Sequence, residues 1–231
     1  MGRKIVILLG HPGVGKGTQA KEIMRELNVP QISTGDMLRE AIAAKTSHGL
    51  KAKDKMDAGD LVSDDIVNPI VAERILRDDC SKGFILDGYP RTVQQAETFR
   101  SQMTDGDHVY VFEISADSSK LIDRLVGRLM CPGCGEIYNI YSRAPKVEGI
   151  CDRCGKDLVR RSDDRPDLIH ERFRTYHEET FPLVEFYQKL GAFHNIDGTR
   201  PIADVTREIL ETLAREEALT PTPNGGDHKF A

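Results

Sequence analysis

The stretch LLGHPGVGKGTQA, Leu8 to Ala20, holds four glycines, a lysine and a threonine within thirteen residues. It follows the wholly apolar, β-branched run Ile5 to Leu9, which reads as a short strand buried on both faces. After it, Ala20, Ile23, Met24 and Leu27 recur at i, i+3, i+4 and i+7, the period of an amphipathic helix. Strand, glycine loop and helix together make a context for binding an anion. Bare backbone lets amide groups curl around a phosphate, and the helix start adds the positive end of its dipole. Gly10, Gly15 and Lys16 satisfy the pattern G-x-x-x-x-G-K, with Gly17 in the place of the usual Ser or Thr and Thr18 after it. A glycine turn with a solvated lysine would leave the flanking strand and helix unexplained.

Two further stretches carry the same chemistry. In GFILDGYPRTVQQ, three apolar residues lead into Asp87, as in the strand that ends on the Mg²⁺-side carboxylate of a phosphate-loop protein. Arg91 lies four residues on and Gln95 another four, about one helical turn. A guanidinium can grip a phosphate with two hydrogen bonds, and a side-chain amide can read the edge of a base. In ISTGDMLRE, Thr34 and Asp36 resemble helix caps and Arg39 sits one turn in. Alone, that last segment reads as an ordinary amphipathic helix with one exposed arginine.

The cysteines form a separate signal. Cys131, Cys134, Cys151 and Cys154 fall in the pattern C-x2-C-x16-C-x2-C, the spacing of a four-thiolate zinc site. A glycine follows each pair and suits a tight turn that aims both sulfurs at one ion. Two disulfides are the structural alternative, disfavoured because nothing resembling a secretion signal opens the chain. Four thiolates fill a tetrahedral shell, so an open catalytic metal is not expected. Cys80 stands apart as an incidental thiol.

Composition limits the partners. The 231 residues are 39% hydrophobic and 30% charged, with a formal net charge of −5. That balance argues against a general nucleic-acid or membrane-surface binder. No apolar run approaches the roughly 20 residues needed to span a bilayer, and a cytoplasmic location is expected. VPQIS, GFILD, HVYVFEI and FHNID are strand candidates between helical patterns, which predicts an α/β fold with a mostly parallel sheet and helices on both faces. Pro69 lies inside a helical pattern, where a kink or early break is expected, and Pro182 should open a new helix or bend a long one. Residues 220–231, TPTPNGGDHKFA, read as a disordered tail.

GHPGVGKGTQ, STGDMLR, GDLVSD and FILDGYPRTVQQ, in this order, resemble the adenylate kinase family, as do DRLVGR, RSDDR and IDGTRP downstream. The likeness runs from about Arg3 to Leu213, and Gly-Lys-Gly-Thr is also the family's ending of the loop. It implies a phosphate-loop NTPase fold with a five-stranded parallel sheet and two insertions. The core would comprise 1–32, 63–126 and 165–219; 33–62 would bind the nucleoside monophosphate; 127–164 would be a mobile, zinc-stapled lid. The implied reaction is MgATP plus AMP giving two ADP, in a monomer, with Mg²⁺ and structural Zn²⁺ as metals.

The resemblance also assigns residues. Gly13, Val14, Gly15, Lys16, Gly17 and Thr18 would hold the ATP phosphates. Arg124 and Arg128 would approach ATP, with Ile137, Tyr138 and the Arg200 backbone near its base or ribose. Thr34, Arg39, Asp60, Leu61, Val62, Gly88, Tyr89, Pro90, Arg91 and Gln95 would line the AMP site, with Arg39 and Arg91 on its phosphate. Arg161 and Arg172 would close on the phosphates from the far side, positioned by Asp163 and Asp164. Asp87 would orient Mg²⁺. His11, inside the loop, is expected to be a neutral spacer rather than a catalyst. A GTP:AMP phosphotransferase or another nucleoside monophosphate kinase is the alternative. A zinc ribbon for nucleic acid is a remote one, because Glu136, Glu148, Asp152 and Asp157 interleave with its basic residues.

Overall fold

The computed structural model describes residues 2–219. Five parallel strands form one sheet: β1 (Lys4–Leu9), β2 (Gln31–Ser33), β3 (Gly83–Asp87), β4 (His108–Ser115) and β7 (Phe193–Asp197). They lie in the order β2-β3-β1-β4-β7. The expected parallel α/β sheet is therefore present, with all four proposed strand segments in it beside β1. Alternation along β1 explains why the strand is apolar throughout. Ile5, Ile7 and Leu9 pack with Phe84, Leu86 and Phe99 on one face. Val6 and Leu8 pack with Ile23, Phe112 and Ile209 on the other. Both faces are covered, as a parallel sheet requires.

Helices α1 (Lys16–Leu27), α2 (Thr34–Ala43), α3 (Ser47–Ala58), α4 (Asp64–Arg74), α5 (Val93–Ser101) and α6 (Ser118–Val126) follow in the first part of the chain. Helices α7 (Pro166–Thr175), α8 (Pro182–Lys189) and α9 (Ile202–Leu219) follow in the second. The cap of α2 is Ser33, whose hydroxyl accepts from the Asp36 amide at 3.3 Å. Thr34, read as cap-like from the sequence, is instead the first helical residue. Pro69 does not break α4, which continues to Arg74. The proline lies on the exposed face, as does Asp65, whose carbonyl loses the helical partner and can turn to water. Ile66, Val67 and Val71 hold the opposite face in the core. Pro182 opens α8 directly after a π turn at Tyr176–Thr180.

Between α6 and α7, β5 (Arg128–Met130) and β6 (Ile137–Asn139) form a short antiparallel pair. The four cysteines sit in two matching turns beside it. The Gly135 amide donates to the Cys131 carbonyl and the Gly155 amide to the Cys151 carbonyl, both at 2.9 Å. Gly135 and Gly155 have φ of 68° and 73°, so the turns need the left-handed backbone that glycine adopts without strain. Residues 220–231, expected to be a tail, lie outside the described residues.

Candidate active site

Register gathers the first three motifs. Leu8 of β1 lies opposite Asp87 of β3, and Asp87 lies opposite Ser33 of β2. The glycine loop, the Asp87 carboxylate and the start of α2 thus meet outside the C-terminal ends of neighbouring strands. That is where open α/β sheets place their ligands. A cleft of about 610 Å³ opens there. A Cβ on Gly17 would lie 3.2 Å from Asp87 Oδ2, so the missing side chain lets the carboxylate approach the loop. Asp87 Oδ2 accepts from Gln31 Nε2 at 3.1 Å, an orienting contact the sequence did not suggest.

Among the basic residues that line this cleft are Lys16, Arg39, Arg91, Arg128, Arg161 and Arg172. Lys16 Nζ donates to the carbonyls of Gly10 and His11 at 2.7 and 3.0 Å. Burial, reinforced by Arg91, Arg172 and Arg128 against the pull of Asp87, pushes its pKa down to about 7. Burial and Arg172 bring Arg91 down to about 10, and burial with Arg128 and Arg39 does the same to Arg161. Such depression marks positive charge held in short supply of counter-charge, a state that an incoming anion relieves.

Three carboxylates pair with these cations. Asp164 accepts from Arg128 Nε at 2.7 Å and from Arg172 Nη1 at 2.8 Å. Asp163 pairs with Arg172 at 3.3 Å and with Arg39 at 3.8 Å. Asp36 accepts from Arg39 at 2.7 Å and from Arg161 at 3.3 Å, joining α2 to the segment before α7. The first Asp36 pair follows from i, i+3 spacing; the second spans 125 residues and has no sequence signal.

Other assigned residues divide by orientation. Gly13 to Thr18, Arg124, Ile137, Tyr138 and Arg200 all border the cleft, as do Thr34, Asp60, Leu61, Val62, Gly88, Pro90 and Gln95. Arg200 turns its guanidinium to Glu208. Thr34 Oγ1 donates to the Gly88 carbonyl at 2.7 Å. Gln95 is buried; its Oε1 accepts from the Arg91 amide at 2.8 Å and its Nε2 donates to Asp64 at 2.7 Å. Tyr89 does not border the cleft. Its side chain is buried in the core, with the hydroxyl donating to Asn68 Oδ1 at 2.9 Å. An aromatic residue between Gly88 and Pro90 has a large apolar area to bury, and the core claims it.

The cysteines are free thiols gathered in one place. All four sulfurs lie within 4.8 Å of one another, with Cys131–Cys154 at 3.3 Å and Cys134–Cys151 at 3.5 Å. A tetrahedral ZnS₄ unit with bonds of about 2.3 Å has edges of about 3.8 Å, so the cluster fits such an ion with small adjustments. Against the effect of burial, the Tyr138 hydroxyl and the Cys154 and Arg153 amides lower the Cys151 pKa, while burial and the neighbouring thiols raise that of Cys134.

The adenylate kinase family model matches residues 8–192. The chain belongs to the adenylate kinase family. It is 44% identical over 214 residues to the adenylate kinase of Thermosipho africanus, covering 91% of this chain and 99% of that protein. It is also 44% identical over 210 residues to the adenylate kinase of Caldanaerobacter subterraneus subsp. tengcongensis, covering 90% and 95%. As a member of this adenylate kinase family the chain is a phosphotransferase whose substrates are adenine nucleotides. No helix among the described residues is long and apolar enough to cross a membrane.

Proposed function

We propose that this chain reversibly transfers the γ-phosphoryl group of MgATP to AMP, giving two ADP, with each cleft residue in the role its position suits. The observation that carries this reading is the convergence of Lys16, Arg39, Arg91, Arg128, Arg161 and Arg172 on one cleft in a chain of net charge −5. A moving phosphoryl group spreads negative charge over its equatorial oxygens, and catalysis is mainly positioning plus charge stabilisation. Gly13 to Thr18 cradle the donor phosphates. Lys16, held charged by the bound anion, follows the transferred group. Arg39 and Arg91 fix the AMP phosphate, and Gln95 faces the adenine. Tyr89 contributes through its backbone alone. Arg128, Arg161 and Arg172 neutralise the group in flight from the far side, tethered by Asp163, Asp164 and Asp36.

No general base is required. A nucleotide phosphate with a second pKa near 6 is already a nucleophilic anion at pH 7. Asp87, supported by Gln31, is the residue suited to hold Mg²⁺, which would supply charge neutralisation to the donor phosphates. Zn²⁺ suits the four thiolates, where it stiffens segment 127–164 without entering the chemistry. That segment acts as a lid and excludes the water that would otherwise compete for the phosphoryl group. Segment 33–62 serves the monophosphate side, and the remaining residues up to 219 form the core. The protein works as a cytoplasmic monomer without a nucleic-acid partner. In support, Glu136 already neutralises basic residues of the cysteine segment, pairing with Arg143 at 2.7 Å and approaching Arg153 at 3.9 Å.

A mixture of ATP, AMP and Mg²⁺ should yield ADP with the native protein. Lys16→Met and Arg91→Ala should fold normally and turn over about 10²–10³-fold more slowly, the scale of losing one charge-stabilising donor. Native turnover in either variant would remove the assigned site. Preferred use of GTP over ATP as donor would reassign the donor.

A further inference from the structure

An aromatic cluster lies between the phosphate loop and the end of α7, with Tyr176 buried, His11 and Phe173 part-buried and His177 exposed, and the transfer step makes no use of it. The His11 ring packs against Tyr176 with centroids 4.1 Å apart, His177 at 4.7 Å and Phe173 edge-on at 5.5 Å. Its Nδ1 is buried with no hydrogen-bond partner among the described residues. The same residue's carbonyl accepts from Lys16 Nζ at 3.0 Å. Across the contact, Phe173 directly follows Arg172, and Tyr176 opens the π turn closed by the Phe181 amide on its carbonyl at 2.8 Å. His11 therefore touches two of the segments that supply cleft charge, the loop through its backbone and α7 through its ring.

We propose that His11 is a positioning residue: its uncharged ring wedges the phosphate loop against the Phe173–His177 turn and so fixes the spacing of Lys16 and Arg172. This rests on the phosphotransferase reading above. Spacing matters because a shift of about 1 Å in a positioned group can cost up to about 10²-fold in rate. Neutrality matters because a charged imidazole donates from both nitrogens, and Nδ1 faces no acceptor. The groups around the ring are Lys16 from its own loop, Tyr176 and His177 from the turn, and Phe173 from α7; Glu113 of β4 faces Tyr176 in turn. Burial first, then His177 and Lys16, push the imidazole from its ordinary 6.5 down to about 4. The unfolded chain thus takes up a proton near pH 6.5 that the folded one refuses until about 4, and stability falls as pH drops through that window.

The test compares wild type, His11→Ala and His11→Phe by ADP formation from ATP and AMP and by melting temperature between pH 7 and 4.5. His11→Ala should lower kcat about tenfold or more with KM for AMP within about twofold. His11→Phe, with a flat neutral ring, should recover most of that loss. It should also gain melting temperature relative to wild type as pH falls, because it has no proton to take up on unfolding. A His11→Ala protein that melts early yet keeps wild-type kcat has lost only packing, and overturns the proposal. So does a kcat loss that phenylalanine fails to rescue, or a melting difference that stays constant with pH. Wild-type protein that makes no ADP overturns the functional reading instead, and the melting comparison then judges the wedge alone.

Discussion

The five-stranded sheet and the cysteine-bearing segment are held together by different means. The sheet has an apolar cluster on each face, with Phe84, Phe112, Ile5 and Leu86 fully buried. The segment around β5 and β6 has a cluster of only Cys131, Tyr138 and Cys151, backed by Leu129, Cys134 and Leu158. Ordering the backbone costs about 1–2 kcal/mol per residue in either region. Burial can offset that cost in the sheet. In the small segment it cannot, and the proposed metal bound through the four sulfurs would take its place. The difference teaches that metal should govern the segment and leave the sheet untouched.

The largest expected effect is on removing that cross-link. Chelation of the zinc-loaded protein, or Cys151→Ser, should strip amide-exchange protection from residues 128–159 while β1 and β4 keep theirs. In isolated zinc fingers the metal contributes about 10–16 kcal/mol, so little of the segment's order should survive. Loss of protection in both regions together would break the comparison. A chelated protein with an ordered segment but no turnover would contradict a purely structural metal.

Next in size is Phe84→Ala in the sheet. It should cost about 3–5 kcal/mol in denaturant unfolding and leave bound zinc unchanged. Asp107→Asn should cost about 1–3 kcal/mol at neutral pH. Asp107 accepts from Arg3 Nε and from the Thr104 amide, both at 2.9 Å, tying the start of β1 to the start of β4. Burial alone would raise its carboxyl pKa, but Arg3 and the amides bring it down to about 2. The stability it provides is present above the ordinary 3.8 and lost as pH falls toward 2, and the asparagine variant should lack that slope. Smallest is Arg143→Ala. Its guanidinium is half exposed, pairs with Glu136 and lies 5.7 Å from the centre of the Tyr138 ring. A loss of up to about 1 kcal/mol should appear in the segment's melting and not in the sheet's.

Much of the scaffold was legible because its causes are local. An apolar run, a glycine loop and an apolar helix period specify strand, anion turn and helix from neighbouring residues alone. The cysteine pairs were equally plain, since ligand spacing and a following glycine are chain-local requirements. Reading failed where two neighbouring residues could serve one purpose, as with Ser33 and Thr34 at the α2 cap. At Tyr89 the motif alone did not show that the ring belongs to the core rather than to the cleft. The break considered at Pro69 does not occur, because the cost of one lost hydrogen bond on an exposed face is small beside three buried apolar neighbours. Gln31 on Asp87, Asp64 on Gln95 and Asp36 on Arg161 join residues 31 to 125 positions apart, beyond any local pattern.

The sequence by itself determined which chemical groups exist and how the backbone bends around them: an anion-binding loop, two thiol pairs, and arginines that stay ionised. Only the tertiary structure decided that Arg39, Arg91, Arg128, Arg161 and Arg172 from separate segments face one cleft with Lys16, and that His11 sits between that loop and α7. Burial and Coulomb energies depend on distance through space. The lowered pKa of Lys16 and the neutrality of His11 therefore arise only once distant parts of the chain are packed together.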